Sequence, residues 1–566
     1  MSQFDEGLCY TGFSRVANEV NMRSDKRGAL LVAVVLALSA FLGAMYGPSA
    51  RATAAGATDL QDSVRSFNQV LTVVQQNYAI PVDTSKIVYD GAIPGLLRTL
   101  DPHSIFFDPH AWAIMMEDEQ GRYYGVGMTI VQRINFDNKT MVVSPFVGSP
   151  AFKAGIRPGD IILKVDDKAT ENLGSTEIAD LLKGPKGTTV RITMGREGSP
   201  EPLVFTLVRD EIPRHDVDDP ITIRPGIGYI RLTGFNETTG EDFDAAFKQL
   251  NPSALSGLVL DLRGNPGGVF TSATAVCDEL LDKNQLIVSQ RGRRSPYHAY
   301  YALHGNGGIH VPVVVLIDSG SASASEIVTG AIQDHDRGLV LGEVSFGKGL
   351  VQSVGSLSEG TGLALTTAHY YTPSGRLIQR DYHNVSFFDY EINRQATIKQ
   401  TEIKLTDSGR QVFGGGGITP DVNYATPKPT PFQQLLMLPS RNIFYPFDIG
   451  VGGFTTYFIG TKPAITKNFT VDDSVIEIFK KYLQKRGVPF TEQDIAENLP
   501  WIKDHIKREV FTALFGQQEG FRVEMEADPE VAKAADLVPQ SRALYDNARR
   551  IVAERMGASG TPQNPH

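Results

Sequence analysis

Ser323 lies in Ser319-Gly-Ser-Ala-Ser-Ala-Ser-Glu326, and Lys348 follows twenty-five residues later in Phe346-Gly-Lys-Gly-Leu-Val-Gln352. A serine hydroxyl becomes a nucleophile when a base removes its proton, and a lysine can be that base only if burial lowers its pKa from about 10.4 towards neutrality. Lys348 is the only charge between Glu343 and Glu359 and is flanked by Phe346, Leu350 and Val351. The pair therefore reads as the nucleophile and general base of a serine hydrolase. Taken singly, each has an ordinary explanation. A Ser/Ala-rich stretch before a helix is an N-cap, and an apolar-flanked lysine snorkels to the surface. Gly342-Glu-Val-Ser-Phe-Gly-Lys348 also fits seven positions of a phosphate-binding loop, but the eighth, which must carry a hydroxyl for magnesium, is Gly349.

The flanking pattern says how these residues are held. Val313 to Asp318, behind Pro312, is a short β-branched run that predicts a buried strand. Small residues and then the apolar spacing of Glu326-Ile-Val-Thr-Gly-Ala-Ile332 predict a helix, which puts Ser323 at a strand-to-helix turn. The unpaired N–H groups of a helix start favour developing negative charge. Gly347 to Ser353 reads as extended, so Lys348 and Gln352 fall on one face and the amide can orient the amine. Gly257-Leu-Val-Leu-Asp261 reads as a second buried strand, with a tight turn at Gly264 to Gly268.

The segments SASASEI, FGKGLVQ and Asp261-Leu-Arg-Gly-Asn-Pro-Gly-Gly268, together with Leu100-Asp-Pro-His-Ser104, Tyr370-Tyr-Thr-Pro-Ser-Gly375 and Gly417-Ile-Thr-Pro-Asp421, resemble the carboxyl-terminal processing peptidases, also called tail-specific proteases. The resemblance runs in order over roughly residues 60 to 424. It implies that Ser323 is the nucleophile, Lys348 the base and Gln352 the residue that positions the lysine. It also implies an oxyanion hole from the N–H of Ala324 and of a glycine, Gly268 being favoured and Gly267 the alternative. The implied fold is an α/β multidomain protein: a crotonase/ClpP-like protease core from 212 to 424, an inserted PDZ domain from 121 to 211, a helical N-terminal region from 57 to 120, and a helical C-terminal extension from 432 to 556.

The PDZ resemblance rests on Tyr124-Gly-Val-Gly-Met128, on Ser149-Pro-Ala-Phe-Lys-Ala-Gly-Ile-Arg-Pro-Gly-Asp160 before the strand Ile161-Ile-Leu-Lys-Val165, and on an amphipathic helix from Thr176 to Lys183. In such domains a glycine-bearing loop offers N–H groups to a peptide's C-terminal carboxylate while the peptide adds a strand to the sheet edge. That implies Tyr124, Gly125, Val126 and Gly127 as the carboxylate loop, with Met128 to Val131 facing Ile178 to Leu182 as groove walls. The plainer alternative is a small β domain whose glycines only make turns.

Composition sets the outer bounds. The 566 residues exceed one core, 41% hydrophobic and 21% charged residues are ordinary for a globular protein, and a net charge of −10 offers no basic footprint for nucleic acid. Arg23, Lys26 and Arg27 precede an uncharged stretch from Gly28 to Ala50, long enough to span a bilayer, with Ala50-Arg-Ala52 as a signal-peptide-like cleavage site. An uncleaved anchor with the rest exported to the periplasm or another extracytoplasmic space is the expectation. Cys9 and Cys277 would then lie on opposite sides and stay unpaired. Cys277 reads as a packed helix face. No Cys or His cluster has zinc spacing, so no metal or cofactor is expected.

Val64, Phe67, Val70 and Leu71 predict an N-terminal helix. After the Pro-rich linker at 425 to 431, helices are expected over Val475 to Arg486, Thr491 to Lys507 and Ser541 to Met556, then a disordered end from 557 to 566. The extension is a candidate surface for regulation, for an activating adaptor or for a homodimer or higher oligomer. Substrates would be proteins or peptides with exposed C-termini. Two rivals remain: a Ser-His-Asp triad using His335 or His369, and a non-catalytic PDZ scaffold. The second would be expected to have lost Ser323, Lys348 or Gln352, and all three are present.

Overall fold

The computed structural model describes residues 50–132, 138–196, 199–383, 385–386, 389–390, 402–438, 441, 443–444, 453–461 and 465–559. Residues up to Gly91 and residues from Ala92 onward form two compact units. The first contains helix α1 (Ala50–Asn77), on which Leu60, Val64, Phe67 and Val70 are exposed at helical spacing. The segment expected as an anchor lies, up to residue 49, outside the described residues, as does Cys9. Among the described residues no helix is long and apolar enough to cross a membrane.

In the second unit a short helix, Ile93–Arg98, is followed by strand β1 (Ile105–Phe107) and helix α2 (Pro109–Gln120). Asp108 caps α2 by accepting from Ala111, and Gly121 at φ 65° ends it. Then come β2 (Arg122–Gly125), β3 (Met128–Gln132), β4 (Thr140–Pro145), β5 (Ile161–Val165), helix α3 (Ser175–Leu182), β6 (Thr189–Gly195), β7 (Leu203–Val208) and β8 (Asp210–Pro213). Antiparallel strands run in the order β3-β4-β5-β6-β7, and β2 pairs with β8. Alternate residues such as Val190, Ile192 and Met194 meet Val142, Ile162 and Ile178 in one apolar core.

Next in the chain are β9 (Ile221–Arg224), β10 (Ile227–Arg231), α4 (Thr239–Gln249), β11 (Gly257–Asp261), α5 (Phe270–Leu280), β12 (Leu286–Arg291), β13 (Val313–Ile317), α6 (Ala324–Asp334), β14 (Gly338–Gly342), β15 (Leu350–Ser356), β16 (Gly362–Tyr371) and β17 (Val422–Asn423). A six-stranded sheet runs β9-β10-β11-β13-β14-β17 and is parallel from β10 onward. Its strands are apolar on both faces because both are covered. Leu258, Leu260, Val313, Val315, Ile317 and Val340 pack on the side of α4, α5 and α6, while Val259, Val314, Leu316, Leu339 and Leu341 pack on the other. A second sheet is built on the long strand β16, which pairs with β1, β12 and β15.

The C-terminal stretch holds α7 (Asp473–Lys485), α8 (Leu499–Phe515), α9 (Gln517–Ala527) and α10 (Pro529–Ser559). Helices α7 and α8 enclose an aromatic-rich core with Phe444, Phe454 and Phe479. The helix expected over 491 to 507 is instead a short helix, Glu492–Glu497, and α8, which restarts with Pro500 in its first turn. Helices α9 and α10 do something else. Met525, Val531, Leu537 and Val538 cover the second face of the parallel sheet, and Ser541 Oγ donates to the Val313 carbonyl at 2.7 Å. The stretch expected as one helical domain thus divides, its last two helices forming a layer of the sheet that carries Ser323.

Candidate active site

The turn between β13 and α6 is fixed by side chains that bind main chain. Asp318 Oδ1 accepts from Gly264 (2.9 Å) and Gly320 (2.8 Å), and Ser321 Oγ donates to the Leu262 carbonyl at 2.7 Å. The Asn265 carbonyl accepts from Ala322 (2.9 Å) and from Ser325 Oγ (3.0 Å). The turn after β11 and the turn after β13 are therefore stitched together before either meets a ligand. At their junction Ser323 takes φ 52°, ψ −112°, a conformation that costs a non-glycine residue free energy and clusters at functional turns. Its hydroxyl makes no bond to the helix end, so it is not spent as a cap.

Lys348 Nζ donates to Gln352 Oε1 at 2.9 Å. The Gln352 amide nitrogen in turn donates to the His103 carbonyl, which fixes the amide's orientation and leaves its oxygen to the lysine. The motif around His103 has a structural reason. Asp101 Oδ1 accepts from the N–H of His103 (2.8 Å) and Ser104 (2.7 Å), so one buried carboxylate holds the turn that presents the carbonyl. The His103 ring, bonded to the Tyr390 hydroxyl at 2.7 Å, is held down to about 4 by burial and then by the charge of Lys348, and so is neutral at neutral pH. Strand alternation does not explain the Lys348–Gln352 contact. β15 begins only at Leu350, and its register on β16 shifts between Val351 and Gln352.

Gly417, the last residue of the run Gly414 to Gly417, also takes part. A Cβ on Gly417 would stand 2.6 Å from the Ser345 carbonyl oxygen, and one on Gly347 would stand 3.0 Å from the Gly417 nitrogen. Only glycine lets these backbones approach so closely, and the lysine turn rests on that contact.

Glu326, the third residue of α6, is buried and accepts four bonds. They come from the N–H of Ser323 (2.9 Å), Lys348 (2.9 Å) and Gly347 (2.7 Å) and from Ser345 Oγ (2.5 Å). Tyr370, equally buried, sets its hydroxyl 2.6 Å from the Lys348 carbonyl and 3.1 Å from that of Ser323. Neither residue was singled out from sequence. The Ser-x-x-Glu spacing of Ser323 and Glu326 was the available signal, since it matches a capping box.

The two oxyanion candidates separate by hydrogen bonding. Gly267 donates its N–H to Asn265 Oδ1 at 2.9 Å, whereas among the described residues no group accepts from Gly268 or from Ala324. Gly268, at φ 142°, packs so close that a Cβ would stand 2.1 Å from the Phe235 carbonyl oxygen. At the head of the same segment Arg263 binds Asp261 (2.6 Å), Asp528 (2.9 Å) and Glu530 (2.8 Å), the last two from the junction of α9 and α10 and the start of α10.

The histidines of the rival triad are engaged elsewhere or carry no such contact. His335 spends Nδ1 on Asp407 and Nε2 on the Leu286 carbonyl, both at 2.7 Å. His369 stands opposite Leu350 in β16 and is lowered by burial. Cys277 is fully buried on α5, where burial pushes its thiol up, and no group of residues suited to a metal occurs among those described.

In the other module, Tyr124 and Gly125 end β2, and Val126 and Gly127 turn into β3. The carbonyls of this loop are occupied: Ala151 N–H donates to Val126 at 2.9 Å, and Ser149 Oγ to Gly127 at 2.8 Å. Its N–H groups at 126 and 127 bond no described group. Within the expected groove walls, Met128 to Val131 and Ile178 to Leu182, burial differs from residue to residue. Met128, Ile178 and Leu182 are packed into the core, and half-buried Ile130 and Leu181 stand at its margin.

Comparison with known proteins agrees with both modules. Residues 226–387 match peptidase family S41, and residues 142–196 match a PDZ domain. A carboxy-terminal-processing protease of Bartonella bacilliformis is 41% identical over 318 residues, 55% of this chain and 72% of that protein. The carboxy-terminal processing protease CtpA of Bacillus subtilis is 30% identical over 361 residues, covering 62% and 76%. Among solved structures, a photosystem II D1 C-terminal processing protease is 31% identical, with 62% of this chain and 85% of that one covered at a TM-score of 0.32.

Proposed function

The chain belongs to the carboxy-terminal processing proteases of peptidase family S41 and carries a PDZ domain, and on that premise we propose an endopeptidase in which Ser323 is the nucleophile, Lys348 the general base and Gln352 the group that orients the base. The observation that carries this reading is the relay from the His103 carbonyl through the Gln352 amide to Lys348 Nζ, on a turn bound to the same carboxylate as the turn of Ser323.

In this reading the neutral amine of Lys348 takes the Ser323 proton as Oγ attacks the scissile carbonyl carbon. The oxyanion accepts from the N–H groups of Ala324 and Gly268, which need no rearrangement to donate. The lysine then gives its proton to the leaving amine, and the C–N bond breaks to leave an ester on Ser323. Water, deprotonated by the same lysine, hydrolyses the ester and restores the serine. Substrate reaches the site after its C-terminus docks on the 124–127 loop and along the edge of β3. The core is assigned to the crotonase/ClpP-like architecture. The enzyme works outside the cytoplasm, tethered by residues 28–50, with an adaptor or a second copy of the chain as candidate regulators.

Cleavage of an unfolded casein and of a peptide with a free C-terminus tests the dyad. Ser323→Ala and Lys348→Ala should each lower kcat by about 10³-fold or more. Wild-type rates in both variants would refute it.

A further inference from the structure

The two side chains that grip the site belong to neither the nucleophile, the base nor the oxyanion hole. Glu326 holds the N–H groups of both Ser323 and Lys348, and Tyr370 holds the carbonyls of both. Residues 323 and 348 are thus fastened to the same pair of side chains through each of their main-chain polar groups. Both side chains are about 1% exposed, so water does not compete for these bonds.

A stability role explains the arrangement poorly. Glu326 is a carboxylate taken out of water, and its four donors are three amides and a hydroxyl, all neutral. Burying a carboxylate without a cation costs several kcal/mol after relaxation, and well-packed apolar groups replace buried charges at little or no loss. Burial pushes this carboxyl up to about 7 even against the four bonds that favour its anion. What a carboxylate provides and an apolar residue does not is two oxygens that can each accept twice. Here they span two chain segments that are separated in sequence and must meet.

We infer that Glu326 and Tyr370 are positioning residues that set the spacing between the nucleophile and its lysine base. This rests on the Ser323–Lys348 reading above. Oε2 of Glu326 accepts from Ser323 and Lys348 and Oε1 from Gly347 and Ser345, so either orientation of the amide in Glu326→Gln sets its NH₂ against an N–H of the 347–348 turn, and that turn must move. Tyr370→Phe removes the bridge between the carbonyls and keeps the ring that fills the core. Displacement of a reacting group by about 1 Å costs about 10²-fold in rate.

The experiment uses the full chain. It measures kcat and KM on fluorescein-labelled casein, the rate of Ser323 modification by a fluorophosphonate, and thermal midpoints. Glu326→Gln should lower kcat and the labelling rate together by about 10- to 100-fold with KM within about twofold, and Tyr370→Phe by about 5- to 10-fold. A crystal structure of Glu326→Gln should show the turns at 323 and 348 moved apart. If Ser323→Ala and Lys348→Ala abolish turnover while Glu326→Gln stays within about twofold of wild type, the clamp is overturned and the dyad stands. A loss in Glu326→Gln that matches only its unfolded fraction also overturns the clamp. If Ser323→Ala and Lys348→Ala retain turnover, the dyad fails and the clamp with it.

Discussion

In the proposed reading the turns at Ser323 and Lys348 and the edge of β3 both meet a peptide, and they treat their backbone in opposite ways. At the turns the main-chain groups are bound by side chains, from Asp318 and Asn265 on one side to the buried Glu326 and Tyr370 on the other. Among the described residues strand β3 pairs only with β4 and no strand lies beside its outer edge, and the N–H groups of the loop before it bond no described group. Chemistry needs one geometry, and any mobility in it is lost rate. Reading tails of varied sequence needs main-chain groups that accept any strand, with side chains adding selectivity at the margin.

Three perturbations would break or sharpen this contrast. The largest effect is expected from Gly268→Ala. Its Cβ must displace the Phe235 carbonyl, and loss of an oxyanion donor costs about 10²- to 10³-fold in kcat. Steady-state kinetics that left kcat unchanged would return the donor role to Gly267. Ile130→Asp on β3 should act on recognition alone. Affinity for a peptide with a free C-terminus should fall by about tenfold by calorimetry, while fluorophosphonate labelling of Ser323 keeps its rate. Equal losses in both would mean that the two regions are not separable.

The smallest effect is on stability against pH. The Glu326 carboxyl ionises near 4.5 when unfolded and is raised by burial to about 7 in the fold. Between those values the folded chain keeps a proton that the unfolded chain has released. The associated stabilisation is full below pH 4.5 and is lost as pH rises through about 7. Glu326→Gln removes this term, so the difference in thermal midpoint between it and wild type should vary across that window. A constant difference from pH 4.5 to 8 would contradict the raised value.

Much of this was legible in the chain. The strands at 257–261 and 313–317 and the turn that carries Ser323 follow from apolar runs broken by small residues, and the order of the motifs is what the family resemblance implies. The Lys348–Gln352 contact was expected for a reason that does not hold, since a register shift lies between them. Local periodicity cannot predict where a strand begins or slips. Glu326 and His103 were hidden differently. A glutamate at the third position of a helix looks like an ordinary capping residue, and a histidine that serves through its carbonyl leaves no side-chain signature. The covering role of α9 and α10 was hidden because amphipathic spacing gives a helix an apolar face without naming what it meets.

That cover has a consequence for how the molecule is made. Val259, Val314 and Leu339 become dry only when Val531, Leu537 and Val538 arrive, some two hundred residues later in the chain. Until then the sheet bearing Ser323 has one greasy face in water, and its contacts are among the most non-local in the protein. A ribosome must therefore deliver nearly the whole polypeptide before this sheet can close, and a partly synthesised chain is a candidate for chaperones rather than a working protease. The order of synthesis itself postpones activity.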